Sequence, residues 1–369
     1  MRFVLAIGVA LLAGLALSTP SRGAEQMPAH FVTPLNQIFV RAQAPGMIAT
    51  IIDGDHVYVL GLGRARSDRP APPDENTLVH LNSLSKLLAG QILVGLMAQN
   101  TMRLNDPLQR FAPTGRRVAR YPGARALTIG DLVTHVSGIK RDLPLSIWKA
   151  PGSPKQARWA WFERTALQHE PGRVAQYSNA AYLLLGDAME QASGQHYADL
   201  LNQFVTGPQQ LSDTTLRPTP SQCARLLSAR TGGDAECAAN DTTGASWGVY
   251  ATSKDIARWM QAHIKAGQGS LLAQTQRPLV KRTDLKRLIA FDMAGRTQAI
   301  GYGWLSMKLG EATVLQKTGG GSATMNYLIL SPEKKKGVFI TVSRMDIEML
   351  RGLTKAANSL MVGFLNAPS

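Results

Sequence analysis

Ser83-Leu84-Ser85-Lys86 places a hydroxyl and an amine at the start of a strongly apolar stretch. Three residues apart, the two side chains lie one helical turn from each other on the same face, so the amine can reach the hydroxyl. A serine at a helix N-terminus also gains from the local amide dipoles. A partly desolvated lysine can accept a proton, which would make the serine a nucleophile toward an amide or ester carbonyl. The spacing alone does not select this pair, because Ser-x-x-Lys occurs four times. Ser137 to Lys140 lies in a Gly-broken loop, Ser146 to Lys149 runs into Pro151-Gly152, and Ser331 to Lys334 is a polar turn. Only Ser83 begins a long apolar segment, where the pair would be held rigidly in a core.

Two further triplets carry complementary chemistry. Tyr177-Ser178-Asn179 follows Glu170-Pro171-Gly172, precedes a helical run, and is the only Tyr-x-Asn in the chain. A tyrosine hydroxyl beside lysines can relay protons, and an asparagine amide can bind both a substrate carbonyl and a lysine. A helix start with a packed tyrosine and a capping asparagine would look the same. Lys317-Thr318-Gly319 ends an expected strand and is also unique. A strand edge lets a substrate pair with the backbone. Lys317 and Thr318 offer a cation and a hydroxyl to a carboxylate, and Gly319 removes a side chain that would block close approach. Gly319-Gly320-Gly321 also reads as an ordinary turn.

The elements that must position these groups are visible in outline. Met47 to Gly63 reads as a β-hairpin turning at Asp53-Gly54-Asp55. Leu84 to Gln99 reads as a helix apolar on most of its circumference, hence central and buried. Helical periodicity returns at Ala180 to Gln191 and at Lys254 to Lys265, the latter with Ser253 as N-cap. Strands are expected at Ala312 to Lys317, Thr324 to Leu330 and Gly337 to Ser343, then an amphipathic helix from Asp346 to Leu365. With strands at both ends and helices between, the expected fold is α/β (α+β). One antiparallel sheet is built from both chain ends (24–99 and 295–369), with a mostly helical domain inserted at 100–294. No internal repeat is present.

Composition bounds the class. The 369 residues are 44% hydrophobic and 18% charged, which excludes a disordered or collagenous chain. The charge of +15 invites a nucleic-acid partner. However, the basic clusters Arg116-Arg117, Lys281-Arg282 and Lys334 to Lys336 are spread over loops and read as solvated faces, so no nucleic acid is expected. Met1-Arg2-Phe3, the apolar Val4 to Ser18 and the small polar Thr19 to Ala24 form the basic, apolar and small-residue order of a secretory leader. Residues 1–23 are expected to be removed, leaving a periplasmic or secreted protein with no stable membrane anchor. Without Arg2 and Arg22, two charges leave +15 and +13 remain. Cys223 and Cys237 are the only cysteines, and in an oxidising compartment they are expected to form a local disulfide. The seven histidines are scattered with no His-x-x-x-His pair, so no metal site is indicated.

The three triplets in this order, on a helix, a loop and a strand, resemble the penicillin-recognising serine hydrolases. Among these the chain is most similar to class C β-lactamases and their relatives among D-Ala-D-Ala peptidases and esterases. Thr101 to Pro107, Leu132-Val133-Thr134-His135-Val136-Ser137-Gly138, Gly248 to Trp259 and Gly301-Tyr302-Gly303-Trp304 extend the likeness over the mature chain. The resemblance implies Ser83 as nucleophile and Lys86 as proton acceptor, with Tyr177 as a further base. It implies Asn179 on the substrate amide carbonyl, and Lys317, Thr318 and Gly319 beside the substrate carboxylate. The backbone N–H groups of Ser83 and Gly320 would form the oxyanion hole. It implies no cofactor, a monomer, and a small β-lactam or peptidoglycan-derived substrate. Hydrolysis of β-lactams is the first expectation, and D-Ala-D-Ala peptidase or esterase activity the alternative. Two features depart from the lactamase pattern. Only twelve residues, Leu305 to Gln316, separate Trp304 from Lys317, and Leu143-Pro144-Leu145-Ser146 ends in Ser where many lactamases carry Gln.

Overall fold

Apolar residues at both parities of Met47-Ile48-Ala49-Thr50-Ile51-Ile52 demand a strand covered on both faces. In the computed structural model this segment is β1 (Gly46–Asp53), and Gly54-Asp55 turns it into β2 (His56–Gly63), with Asp53 opposite His56. Gly54 adopts φ 60°, the left-handed conformation that a tight hairpin turn requires. The structure describes residues 25–68, 70–148, 153–228, 237–291, 295–321, 323–344 and 347–367. The expected leader, 1–23, lies outside the described residues.

Further along the chain come β3 (Leu78–His80), β4 (Val174–Gln176), β5 (Tyr250–Thr252), β6 (Pro278–Lys281), β7 (Arg287–Ile289) and β8 (Thr297–Gly301). They are followed by β9 (Leu305–Leu309), β10 (Ala312–Gly320), β11 (Met325–Ser331) and β12 (Lys336–Val342). The main sheet has eight strands in the order β2-β1-β12-β11-β10-β9-β8-β6. Its centre joins the two chain ends, as expected: β12 pairs antiparallel with β1, Met47 opposite Val342. Leu305 to Gln316 folds as the plain β9–β10 hairpin, with Leu309 opposite Ala312. Two small sheets, antiparallel β3–β5 and parallel β4–β7, lie beside the main one.

The alternation of strand side chains separates two cores. Ile48, Ile52, Leu328, Leu330 and Phe339 face one way, toward the helices Ser85–Ala98, Asn179–Ser193 and Ser253–Ile264. Met47, Ala49, Ile51, Ile329, Val338 and Ile340 face the other way, toward the helices Ala29–Ala42 and Ile347–Asn366. There Phe31 meets Phe364 edge to face at 4.9 Å. The Ser85–Ala98 helix is buried along 12 of its 14 residues, as its all-round apolar sequence requires. The Ser253–Ile264 helix is capped one residue earlier than expected. Thr252 closes β5 in extended backbone, and its hydroxyl accepts from the Asp255 N–H, while Ser253 is already helical.

Cys223 and Cys237 are joined by a disulfide with Cα atoms 5.6 Å apart. It packs beside β3 and β5, where Cys237 meets Leu78, Leu226 and Tyr250. Among the described residues no helix is long and apolar enough to cross a membrane.

Candidate active site

β3 leads directly to Ser83. After His80, which pairs with Tyr250, the chain makes a 3-10 turn over Asn82–Leu84 and enters the α-helix at Ser85. Ser83 therefore sits in the turn just ahead of the helix. Asn82 takes φ 50°, a left-handed conformation that asparagine tolerates. Its side chain donates to Thr324 Oγ1 at 3.1 Å and to the His80 carbonyl at 3.2 Å. Asn326 of β11 donates to the His80 and Leu81 carbonyls at 2.9 and 3.0 Å. The serine turn is thus clamped to the sheet by two asparagines that sequence reasoning did not single out.

Lys86 is fully buried, and its Nζ meets three acceptors. It donates to Ser83 Oγ at 3.2 Å, to Asn179 Oδ1 at 2.8 Å and to the Ser246 carbonyl at 2.8 Å. Lys140 and Lys334 of the competing Ser-x-x-Lys segments are exposed, and Lys149 lies outside the described residues. The Ser246 carbonyl is a main-chain partner that no residue pattern announces.

Tyr177 is delivered by the β4–β7 ladder, its N–H donating to the Ile289 carbonyl at 3.0 Å. Ser178, not Asn179, caps the helix that follows, its hydroxyl accepting from Ala181 N–H. Asn179 thereby keeps its amide for Lys86. Three cations surround the buried Tyr177 ring: Lys86 Nζ at 5.0 Å, Lys317 Nζ at 5.2 Å and the Arg141 guanidinium at 5.0 Å. Beneath it lies His135, stacked at 4.5 Å, with its Nδ1 accepting from the Ser178 N–H at 3.0 Å. Burial, then Lys86, Lys317 and Arg141, hold the His135 imidazole neutral, with its pKa well below the usual histidine range. His135 belongs to the Leu132 to Gly138 segment and serves as the platform for the tyrosine. Gly138 closes that segment at φ 71°, where an added Cβ would come within 2.1 Å of the His169 carbonyl oxygen.

β10 forms the opposite wall. Lys317 and Thr318 are both buried, and Lys317 Nζ donates to the Thr318 carbonyl at 2.6 Å. Gly319 lets the strand press against the serine turn. A Cβ there would lie 2.6 Å from the Leu81 carbonyl oxygen and 3.1 Å from the Ser83 nitrogen. Gly320 follows, exposed, at the end of β10. Ser83, Lys86, Tyr177, Asn179, Lys317, Thr318 and Gly319 thus come together, while Cys223 and Cys237 lie outside this group. Among the described residues no cluster of three His, Cys, Asp or Glu side chains is arranged to hold a metal. A hydroxyl held against a buried amine, beside an amide donor and a cation-ringed phenol, is equipped for acyl transfer.

A family model described as Beta-lactamase matches residues 29–359. The D-alanyl-D-alanine-carboxypeptidase/endopeptidase AmpH of Escherichia coli (strain K12) is 34% identical over 340 residues, covering 88% of this chain and 86% of that protein. A protein named Beta-lactamase from Yersinia enterocolitica is 27% identical over 236 residues, covering 62% of this chain and 58% of its own length. Among solved structures, the β-lactamase/D-alanine carboxypeptidase from Yersinia pestis complexed with citrate superposes with TM-score 0.80 at 30% identity, covering 91% of this chain and 99% of that one. The class C β-lactamase from Rhodobacter sphaeroides shares the fold, with TM-score 0.74 at 17% identity over 92% of this chain and 100% of that one. With a matched family model spanning nearly the whole described chain, the protein belongs to the β-lactamase family of serine penicillin-recognising hydrolases.

Proposed function

We propose that Ser83 is the nucleophile of an exported D-Ala-D-Ala peptidase that β-lactams acylate at the same serine. The observation that carries the chemistry is Lys86 Nζ, within hydrogen-bond distance of both Ser83 Oγ and Asn179 Oδ1. Ser83 Oγ attacks the carbonyl carbon, and its proton passes to a base supplied by Lys86, with the Tyr177 ring 5.0 Å from its Nζ as the second candidate. The oxyanion is received by the backbone N–H groups of Ser83 and Gly320. Collapse breaks the C–N bond, and the leaving amine takes the proton. Water then attacks the ester and regenerates the serine. Asn179 holds the substrate amide carbonyl, while Lys317 and Thr318 hold the terminal carboxylate.

The peptide substrate is supported by the short β9–β10 hairpin, which leaves that side of the cleft without a long lip. The likeness to AmpH over most of both chains supports it as well. Net hydrolysis of β-lactams is the second reading, favoured by the same three motifs and by the relative named Beta-lactamase. The readings differ in deacylation. Purified protein is incubated with a penicillin and followed by intact mass, alongside D-Ala release from a peptide ending in D-Ala-D-Ala. A lasting adduct on Ser83 together with D-Ala release supports the peptidase. Fast β-lactam turnover without D-Ala release would establish the lactamase instead. No adduct and no turnover of either substrate would reject both.

A further inference from the structure

We propose that Asp142, at the mouth of the site, is a positioning residue that fixes the orientation of the Asn179 amide. The inference rests on the acyl-transfer reading above. Asn179 Oδ1 accepts from Lys86, and Asn179 Nδ2 donates to Asp142 Oδ1 at 2.6 Å. A continuous chain of hydrogen bonds therefore runs from an exposed carboxylate through the amide and the lysine to Ser83 Oγ. Nδ2 carries two hydrogens. With one on Asp142, only the other remains to meet a substrate carbonyl, and its direction is set. An amide turned by half a rotation about its last bond would present N–H to Lys86 and lose both contacts. A charged acceptor at 2.6 Å makes the observed orientation the strongly preferred one.

Asp142 is itself held from several sides, as a positioning role demands. Its second oxygen, Oδ2, lies 3.3 Å from Arg141 Nε, and Arg141 spans the Tyr177 ring and donates to the Ala290 carbonyl at 3.3 Å. The backbone around Asp142 is tied to the start of the Asn179–Ser193 helix. The Arg141 carbonyl accepts from the N–H groups of Asn179 and Ala180 at 2.7 and 3.1 Å. The Lys140 carbonyl accepts from Ser178 Oγ at 2.7 Å. The loop and the helix start are thus one rigid unit, and the carboxylate and the amide it orients cannot drift apart. The Asp142 side chain is 56% exposed, so its substitution is expected to leave folding intact.

The test combines acylation kinetics with NMR of the Asn179 side chain. Asp142→Ala is expected to slow acylation of Ser83 by a fluorescent penicillin about tenfold, the worth of one charge-assisted hydrogen bond. Asp142→Asn, which keeps an oxygen acceptor, restores most of the rate. In an Asn179→Ala background the Asp142→Ala change has no further effect, which a general disturbance of the loop would not produce. In the full-length protein, one Asn179 Hδ2 signal should be shifted downfield and protected, and Asp142→Ala should abolish both properties. Wild-type rates in Asp142→Ala, or a tenfold loss that persists without Asn179, would overturn the proposal. The NMR arm decides independently of turnover: unchanged Asn179 Hδ2 signals in Asp142→Ala reject it even if the protein never acylates, an outcome that would separately reject the functional reading.

Discussion

Lys86 Nζ donates to Asn179 Oδ1 at 2.8 Å across 93 residues of sequence, tying the serine turn on one element to the helix that follows Tyr177. The bond explains why a buried lysine amine is tolerated in an apolar helix: its Nζ meets the Ser83 hydroxyl, the Asn179 amide oxygen and the Ser246 carbonyl. Lys86→Met keeps the length of the side chain and removes every donor. Acylation of Ser83 is expected to fall by about 10²–10⁴-fold, the worth of a positioned proton acceptor. The orphaned Ser246 and Asn179 oxygens should cost about 1–3 kcal/mol of stability. Fluorescent-penicillin labelling and urea unfolding measure the two effects, and labelling at the wild-type rate would remove Lys86 from the mechanism.

Gly319→Ala tests the closeness of β10 to the serine turn. Its new methyl would meet the Leu81 carbonyl oxygen at 2.6 Å and the Ser83 and Leu84 nitrogens at 3.1 Å, all backbone atoms of the clamped turn. The strand must move outward, carrying Gly320 away from the proposed oxyanion position. Overpacking of this kind costs about 1–3 kcal/mol. The loss in kcat should be larger, about 10²–10³-fold, if one oxyanion donor is displaced. A variant that loses stability but keeps its acylation rate would show that Gly320 does not serve the oxyanion.

The parts legible in the sequence were those whose signal is local. The hairpin at Gly54 rests on a turn residue and β-branched neighbours, and the buried helix on its unbroken apolar run. Ser83 was separated from three similar segments because only it precedes such a run, and Lys86 is indeed buried where Lys140 and Lys334 are exposed. β8 and β9 escaped because the Gly301-Tyr302-Gly303-Trp304 turn interrupts two short strands, and β6 because it is a short edge strand opening on Pro278. The cap at Thr252 was misplaced by one residue, onto Ser253, because both Thr and Ser cap helices well. The Ser246 carbonyl could not be read at all, since a main-chain acceptor leaves no residue signature. Asp142 and His135 are legible only once the loop at 140–142 and the segment at 132–138 are seen to converge on Tyr177 and Asn179.

Acid should destabilise the protein well above the carboxylate range. Burial lowers the pKa of His80 to about 4 and of His263 to about 3, and His135 is lowered too. In the unfolded chain each would titrate near 6.5. Below that pH the unfolded state binds protons that the folded state refuses. The histidine contribution is therefore fully present above pH 7, and it is lost as the pH falls from about 6.5 toward 4. Each such proton adds a slope of about 1.4 kcal/mol per pH unit. Urea unfolding at pH 7.5, 6.5, 5.5 and 4.5 measures it, and His80→Gln should make the loss shallower. A flat stability between pH 7.5 and 5.5 would show that these imidazoles protonate in the folded state.

The disulfide should matter for stability and not for chemistry. Cys223 ends the short Pro220–Cys223 helix, and Cys237 packs on Leu226, Leu78 and Tyr250, behind β3 and away from Ser83 Oγ. Cross-linking a loop of this length stabilises by about 3 kcal/mol, chiefly by restricting the unfolded chain. β3 is also fixed independently of the bond, because the Leu78 N–H donates to the Arg225 carbonyl and its carbonyl accepts from Leu227 N–H, at 2.9 and 2.8 Å. Reduction, or the Cys223→Ser/Cys237→Ser double variant, is expected to lower the urea midpoint by the equivalent of that energy. Acylation at 25 °C should stay within about twofold of wild type, since no group of the site is displaced. A fall in acylation rate matching the fall in stability would instead place the disulfide in control of β3 and, through it, of the serine turn.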